Sequence, residues 1–138
     1  MALRLLIAIT ALGAAAAVVG CGDPAPDGDR TVRAGEEFTL APGDTARTAG
    51  GFAVRFTGVP RDSRCPEDVT CAWEGDATVT VEVTAAGASP VERELHTNRR
   101  FAAETTVGGR TVRLLRLAPA ARQGGVPAAR YRARLTIG

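Results

Sequence analysis

From residue 77 to residue 84 apolar and polar side chains alternate without a break, with Ala77, Val79, Val81 and Val83 set against Thr78, Thr80, Glu82 and Thr84. A two-residue period puts one set on each side of an extended chain, so the segment predicts a half-buried antiparallel strand. Residues 52–57 follow the same period, with Phe52, Val54 and Phe56 on one face, and so do residues 131–137, with Tyr131, Ala133, Leu135 and Ile137. Two shorter candidates, 37–40 and 44–48, stop at Pro42-Gly43 and Gly50-Gly51. Val91 to His96 reads as the partner of 77–84 across an Ala-Gly-Ala-Ser-Pro turn. Thr111 to Leu117 is a near-continuous apolar strand behind the turn signal Gly108-Gly109. Beyond the N-terminal run, no segment sustains a 3.6-residue apolar period with caps. About seven short strands divided by Gly and Pro turns predict an all-β fold, an antiparallel β-sandwich or small barrel, as one domain over residues 34–138.

The N-terminus breaks this pattern. Leu5 to Val19 is apolar except for Thr10 and Gly13, and a single Arg4 precedes it. A basic residue before a short apolar core is the layout of a secretory signal helix, and the run falls short of the roughly 20 residues that span a bilayer. Val18-Val19-Gly20-Cys21 resembles the lipobox of bacterial lipoproteins. The resemblance implies a signal peptide over residues 1–20, cleavage after Gly20, and acylation of the Cys21 sulfur with fatty chains such as palmitate. Cys21 to Arg33 is rich in Gly, Pro and Asp, and is expected to be a flexible tether over residues 21–33. The implied location is the cell envelope, outside the cytoplasm and held to the membrane by lipid. Gly22 rather than Asp follows Cys21, which favours the outer membrane in a cell that has two.

An oxidising compartment changes how the three cysteines read. Lipidating Cys21 removes the odd thiol, and Cys65 and Cys71 are close enough in sequence to form a disulfide. The rival is a metal site, but two thiols and the distant His96 fall short of the usual four zinc ligands. The residues therefore predict no metal and no cofactor. All 17 basic residues are Arg, and the chain is polarised: residues 21–90 carry 6 Arg and 12 acids, residues 91–138 carry 10 Arg and 3 acids.

The most distinctive stretch is Asp62-Ser63-Arg64-Cys65-Pro66, then Cys71, Trp73 and Gly75. This spacing resembles a motif of small secreted or lipid-anchored bacterial proteins, and the likeness extends to Leu95-His96-Thr97-Asn98 and to Val112–Pro119. It implies a β-sandwich with a disulfide-pinned loop and carries no enzymatic activity over. Asp62 and Ser63 suit hydrogen bonding at a turn, Arg64 suits pairing with Asp62 or Glu67 or reaching carbonyls, and Gly75 suits a bulge or tight bend. Trp73 is expected to pack on the disulfide and the sheet, so that Trp73→Ala would destabilise the fold by about 3–5 kcal/mol.

Signals for chemistry are sparse. His96 is the one histidine, and neither Ser63 nor Ser89 sits in a nucleophile motif, so the chain reads as non-enzymatic. Asp62, Glu67, Asp68, Glu74 and Asp76 crowd the loop but lack a calcium-loop spacing. Two binding surfaces are candidates: Arg61, Asp62 and Arg64 beside the loop, and an Arg stripe of Arg130, Arg132 and Arg134 along the last strand. Such surfaces would serve an envelope protein or an anionic polymer, while nucleic acid is no partner outside the cytoplasm. The sequence thus predicts a lipid-anchored envelope binding or accessory module. The competing readings are an inhibitor of a secreted hydrolase, presenting a rigid exposed loop, and a purely structural protein with a buried Trp73.

Overall fold

Among the described residues nine strands form in chain order: β1 (Asp29–Thr31), β2 (Glu37–Leu40), β3 (Thr45–Arg47), β4 (Ala53–Asp62), β5 (Ala77–Thr84), β6 (Val91–His96), β7 (Glu104–Val107), β8 (Arg110–Ala118) and β9 (Arg132–Ile137), with one 3₁₀ turn, Ala128–Arg130, before the last. The computed structural model describes residues 28–138. The expected signal helix, Cys21 and the start of the tether lie outside the described residues. Among the described residues, no helix is long and apolar enough to cross a membrane.

The strands make two sheets, β1-β3-β4-β5-β6 and β2-β9-β8-β7, antiparallel except where β1 runs parallel to β3. Their inner faces share one core of Phe38, Leu40, Val54, Phe56, the alternate residues of β5, Leu95, Val112, Leu135 and Ile137. Burying each such valine or leucine contributes about 1.5–3 kcal/mol, and this burial fixes the register, because a one-residue slip would turn every one of these side chains outward. The outer face of β5 is covered too, since Thr78 and Thr80 are buried.

Three features differ from the sequence reading. The last residues of the expected tether belong to the fold: Asp29–Thr31 form an edge strand, Asp29 pairs with Arg47 (Oδ2 to Nε 3.2 Å), and Val32 is buried. Composition predicted a solvated segment, but backbone donors are independent of composition, and Val32 supplies the one apolar anchor needed. Strand β7, Glu-Thr-Thr-Val, was not anticipated because it lacks an apolar alternation. It pairs with β8 through a two-residue turn in which Gly108 and Gly109 both have positive φ, +56° and +77°, as a type I′ hairpin requires. Finally, β4 runs five residues past Thr57. Register shifts around Gly58 and before Arg61 take Pro60, which has no N–H, out of the ladder without ending the strand. This extension carries Arg61 and Asp62 to the corner where the motif begins.

Candidate functional site

The corner between β4 and β5 has an inward root and an outward tip. At the root, Asp62 ends β4 and meets Arg64 two residues on. Arg64 Nε donates to Asp62 Oδ1 (2.8 Å), Arg64 Nη2 donates to Oδ2 (2.7 Å), and the Arg64 backbone N–H donates to Oδ1 (3.2 Å). The planar guanidinium fork matches a carboxylate, so the pair is bidentate. Arg64 Nη1 also donates to the Leu117 carbonyl of β8 (3.1 Å), and the Tyr131 hydroxyl donates to Asp62 Oδ2 (2.9 Å). The network ties the two sheets together at one end. Only 12% of the Asp62 side chain and 14% of the Arg64 side chain are exposed.

Burial pushes the Asp62 carboxyl up, but the Arg64 and Tyr131 hydrogen bonds and the Arg64 charge outweigh it and hold the carboxyl below its ordinary range. Burial, together with the hydrogen bond to Asp62 and its negative charge, pushes the Tyr131 phenol up to about 12. Asp62 and Arg64, read from sequence as candidate binding residues, therefore serve each other and the fold.

A short ladder closes the root. Ser63 N donates to Asp76 O (2.7 Å) and Cys65 N to Glu74 O (3.0 Å). Gly75 has φ +67°, and a Cβ there would lie 1.8 Å from the Ser63 carbonyl oxygen, so the close approach of the two backbones demands glycine. Buried Asn98 donates to the Gly75 carbonyl (2.7 Å). Cys65 and Cys71 are disulfide-bonded with Cα atoms 5.9 Å apart.

The tip faces outward. Trp73 is 51% exposed and does not fill the corner, which corrects the expectation that its ring packs against the bridge and the sheet. The Asp62–Arg64–Tyr131 network already secures the interior of the corner, and the disulfide holds the loop closed without help from the indole. The Arg100 guanidinium lies 5.9 Å from the Trp73 ring centre, within cation–π range. Phe101, 47% exposed, is tilted against His96 at 5.2 Å. Trp73 and Phe101 flank a pocket of about 340 Å³ whose polar walls are Arg61, Ser63, Asp76, Thr78 and His96. Of the three loop residues proposed from sequence, Arg61 alone reaches this pocket.

Inside it, Asp76 Oδ2 lies 2.6 Å from His96 Nδ1, and Asp76 Oδ1 accepts the backbone N–H groups of Thr97 (3.1 Å) and Asn98 (3.0 Å). The carboxylate thus fixes the imidazole orientation. The Ser63 hydroxyl donates to the Asp76 carbonyl (2.9 Å) and accepts from the Asp76 N–H (3.2 Å), so its proton is directed at backbone and not at the imidazole. The arrangement suits stacking and hydrogen bonding of a docked group better than nucleophilic attack. Among the described residues, no three His, Cys, Asp or Glu side chains are placed to hold a metal ion.

His96, Phe101, Arg100 and Thr78 were not read as site residues. The sole signal was the Leu95–Asn98 segment, which belongs to the motif resemblance. Asp76 and His96 are 20 residues apart and meet because β5 pairs with β6 in a register that sets Thr78 opposite His96.

The expected Arg stripe is not a stripe. Arg130 belongs to the 3₁₀ turn, off β9. Arg132 and Arg134 do project from the outer face of β9, but Arg134 is paired with Glu37 of β2, and Arg132 Nη1 is held by the carbonyls of Ala129 (2.9 Å) and Tyr131 (2.8 Å). Alternation predicted the exposed face correctly, but the strand begins two residues later than Arg130. No family model, curated protein or solved structure matches this chain.

Proposed function

We propose that the protein is a lipid-anchored, extracytoplasmic binding module that docks an envelope protein through the Trp73–Phe101 pocket. The observation that carries this reading is the half-exposed Trp73 standing on a rigid base. A purely structural corner would bury its tryptophan, whereas Trp and Arg exposed on a preorganised surface have the composition of binding hot spots. The Cys65–Cys71 disulfide supports an oxidising compartment, and the Val18–Cys21 lipobox supports the anchor at Cys21. The engaged Ser63 hydroxyl supports a binder over a hydrolase.

A second reading has its own support. The exposed loop between Cys65 and Trp73 is closed by the disulfide, which is the form of a rigid inhibitory loop for a secreted hydrolase. The test is cross-linking capture from envelope extract with the wild-type chain and a Trp73→Ala/Phe101→Ala variant. The expected result is one protein captured by the wild type alone while the two melting temperatures stay within a few degrees. Equal capture by both removes the pocket from the account, and a captured hydrolase whose activity falls on binding selects the inhibitor.

A further inference from the structure

A second concavity lies at the end of the four-stranded sheet, in the chain between β8 and β9. Pro119, Val126 and Pro127 give it an apolar floor, and Arg122, Arg130 and Arg132 stand around it, enclosing about 570 Å³. Among the described residues, no carboxylate lines it. Among the described residues, none of these three arginines takes part in an ion pair. On the same sheet Arg113 is neutralised by Glu104 and Arg134 by Glu37, while Arg110 and Arg116 of β8, like the three around the groove, take part in no ion pair among the described residues. The two carbonyls that hold Arg132 Nη1 fix the guanidinium at the rim, so little side-chain freedom remains to be lost on binding. An unneutralised trio of planar forks over an apolar floor is complementary to a phosphate or other oxyanion attached to an apolar body.

The position of the groove narrows the source of that oxyanion. Leu40 of β2 pairs with Ala133 of β9, which pairs in turn with Leu117 of β8. The C-terminal end of β2 therefore stands level with the edge of the groove, where Arg132 faces Ala118. Asp44, just beyond that end, accepts the N–H of Ala41 (2.9 Å) and the N–H of Gly28 (3.2 Å). The described chain thus begins at the groove end of the sandwich. Gly28 is seven residues from Cys21, a contour of at most about 25 Å. A lipid on Cys21 would keep this end, and not the opposite one, next to the bilayer.

We infer that the Arg122–Arg130–Arg132 groove docks on the anionic phosphate headgroups of the membrane that holds the anchor, and so orients the domain on its surface. The inference rests on the lipid-anchored reading above. Guanidinium groups pair with headgroup phosphates, while Val126 and the two prolines meet the glycerol region. Each arginine contributes about fivefold to attraction toward an anionic leaflet, and the effect is screened by salt.

The test uses the full chain reconstituted in vesicles of phosphatidylcholine alone or with phosphatidylglycerol. Each arginine is labelled with phenylglyoxal and mapped by mass spectrometry. Phosphatidylglycerol should slow labelling of Arg122, Arg130 and Arg132 at least threefold relative to Arg33 and Arg110, which lie at the opposite end of the sandwich, beside the C-terminal end of β9. The protection should vanish in 1 M NaCl and in an Arg130→Gln/Arg132→Gln variant. Equal labelling in both vesicle types overturns the inference. So does equal protection by inorganic phosphate or by a peptide carboxylate without vesicles, which would make the groove a site for a soluble anion. Intact mass of the same preparation reads acylation of Cys21 separately. An acylated chain with an unprotected groove removes the docking alone, and an unacylated chain still protected by phosphatidylglycerol removes the anchor alone.

Discussion

The root and the tip of the β4–β5 corner are a few residues apart in sequence and opposite in physical character. The root holds a bidentate ion pair largely removed from water, a phenol shared with its carboxylate and a glycine pressed against a carbonyl. The tip exposes the Trp73 indole, which together with Phe101 of the β6–β7 connection flanks a polar pocket. One contiguous motif therefore divides its labour. Asp62, Arg64 and Gly75 specify the corner, and Trp73 is what the corner presents. Rigidity at the root is what makes exposure at the tip useful, since a fixed platform loses little entropy when a partner docks.

The division predicts that root substitutions unfold the protein and tip substitutions leave it folded. The largest effect is expected for Gly75→Ala, where a Cβ must displace the Ser63 carbonyl and adopt a positive φ. Urea denaturation should show a loss of about 4 kcal/mol or more, or no folded protein at all. Asp62→Ala strands a largely buried guanidinium and should cost about 3 kcal/mol by the same measurement, with Asp62→Asn costing less. Removing the disulfide by Cys65→Ser/Cys71→Ser should cost about 2.4 kcal/mol from the seven-residue loop it closes. Trp73→Ala should cost less than about 1 kcal/mol while abolishing partner capture, in place of the 3–5 kcal/mol a buried ring would imply.

Acid and base sharpen the same comparison. The Asp62 carboxyl is depressed in the fold, so its stabilising contribution is present above the unfolded value of 3.8 and fades as the pH falls through the lower folded value. Wild type and Asp62→Asn should therefore begin to converge in stability as the pH falls below 3.8 and continue to do so through the lower folded value. The Tyr131 phenol is raised, so its contribution is complete below pH 10 and is lost as the pH climbs from 10.0 toward 12. Tyr131→Phe should flatten that alkaline limb in a pH series of melting temperatures. A Trp73→Ala variant should follow the wild-type profile at both ends, because the tip takes no part in either titration.

Although Thr78 and Thr80 on its expected solvent face are buried, the extent of β5 was legible because its period-2 pattern is written entirely in its own side chains. The same holds for β2, β6 and β9, whose apolar faces all point into the shared core. Strands β1 and β7 were not legible, since edge strands can be held by backbone hydrogen bonds that any composition supplies. Gly75 was read correctly as a tight bend, because positive φ and close approach are local demands that one residue type meets.

The exposure of Trp73 has a cause that is not local. Whether a tryptophan fills a corner depends on what else is there, and the corner belongs to Asp62, Arg64 and Tyr131, the last of them 69 residues away from Asp62. The Asp76–His96 pair and the Arg122–Arg130–Arg132 groove are also products of strand register and chain path. By itself, then, the sequence determined the pattern of the core strands, the cysteine pairing and the tight bend, because periodicity, loop length and backbone conformation act within a few residues. The tertiary structure decided which polar groups meet, which aromatic side chains stay in water and which arginines go unpaired. Those outcomes depend on competition for the same space and the same charges between segments far apart along the chain.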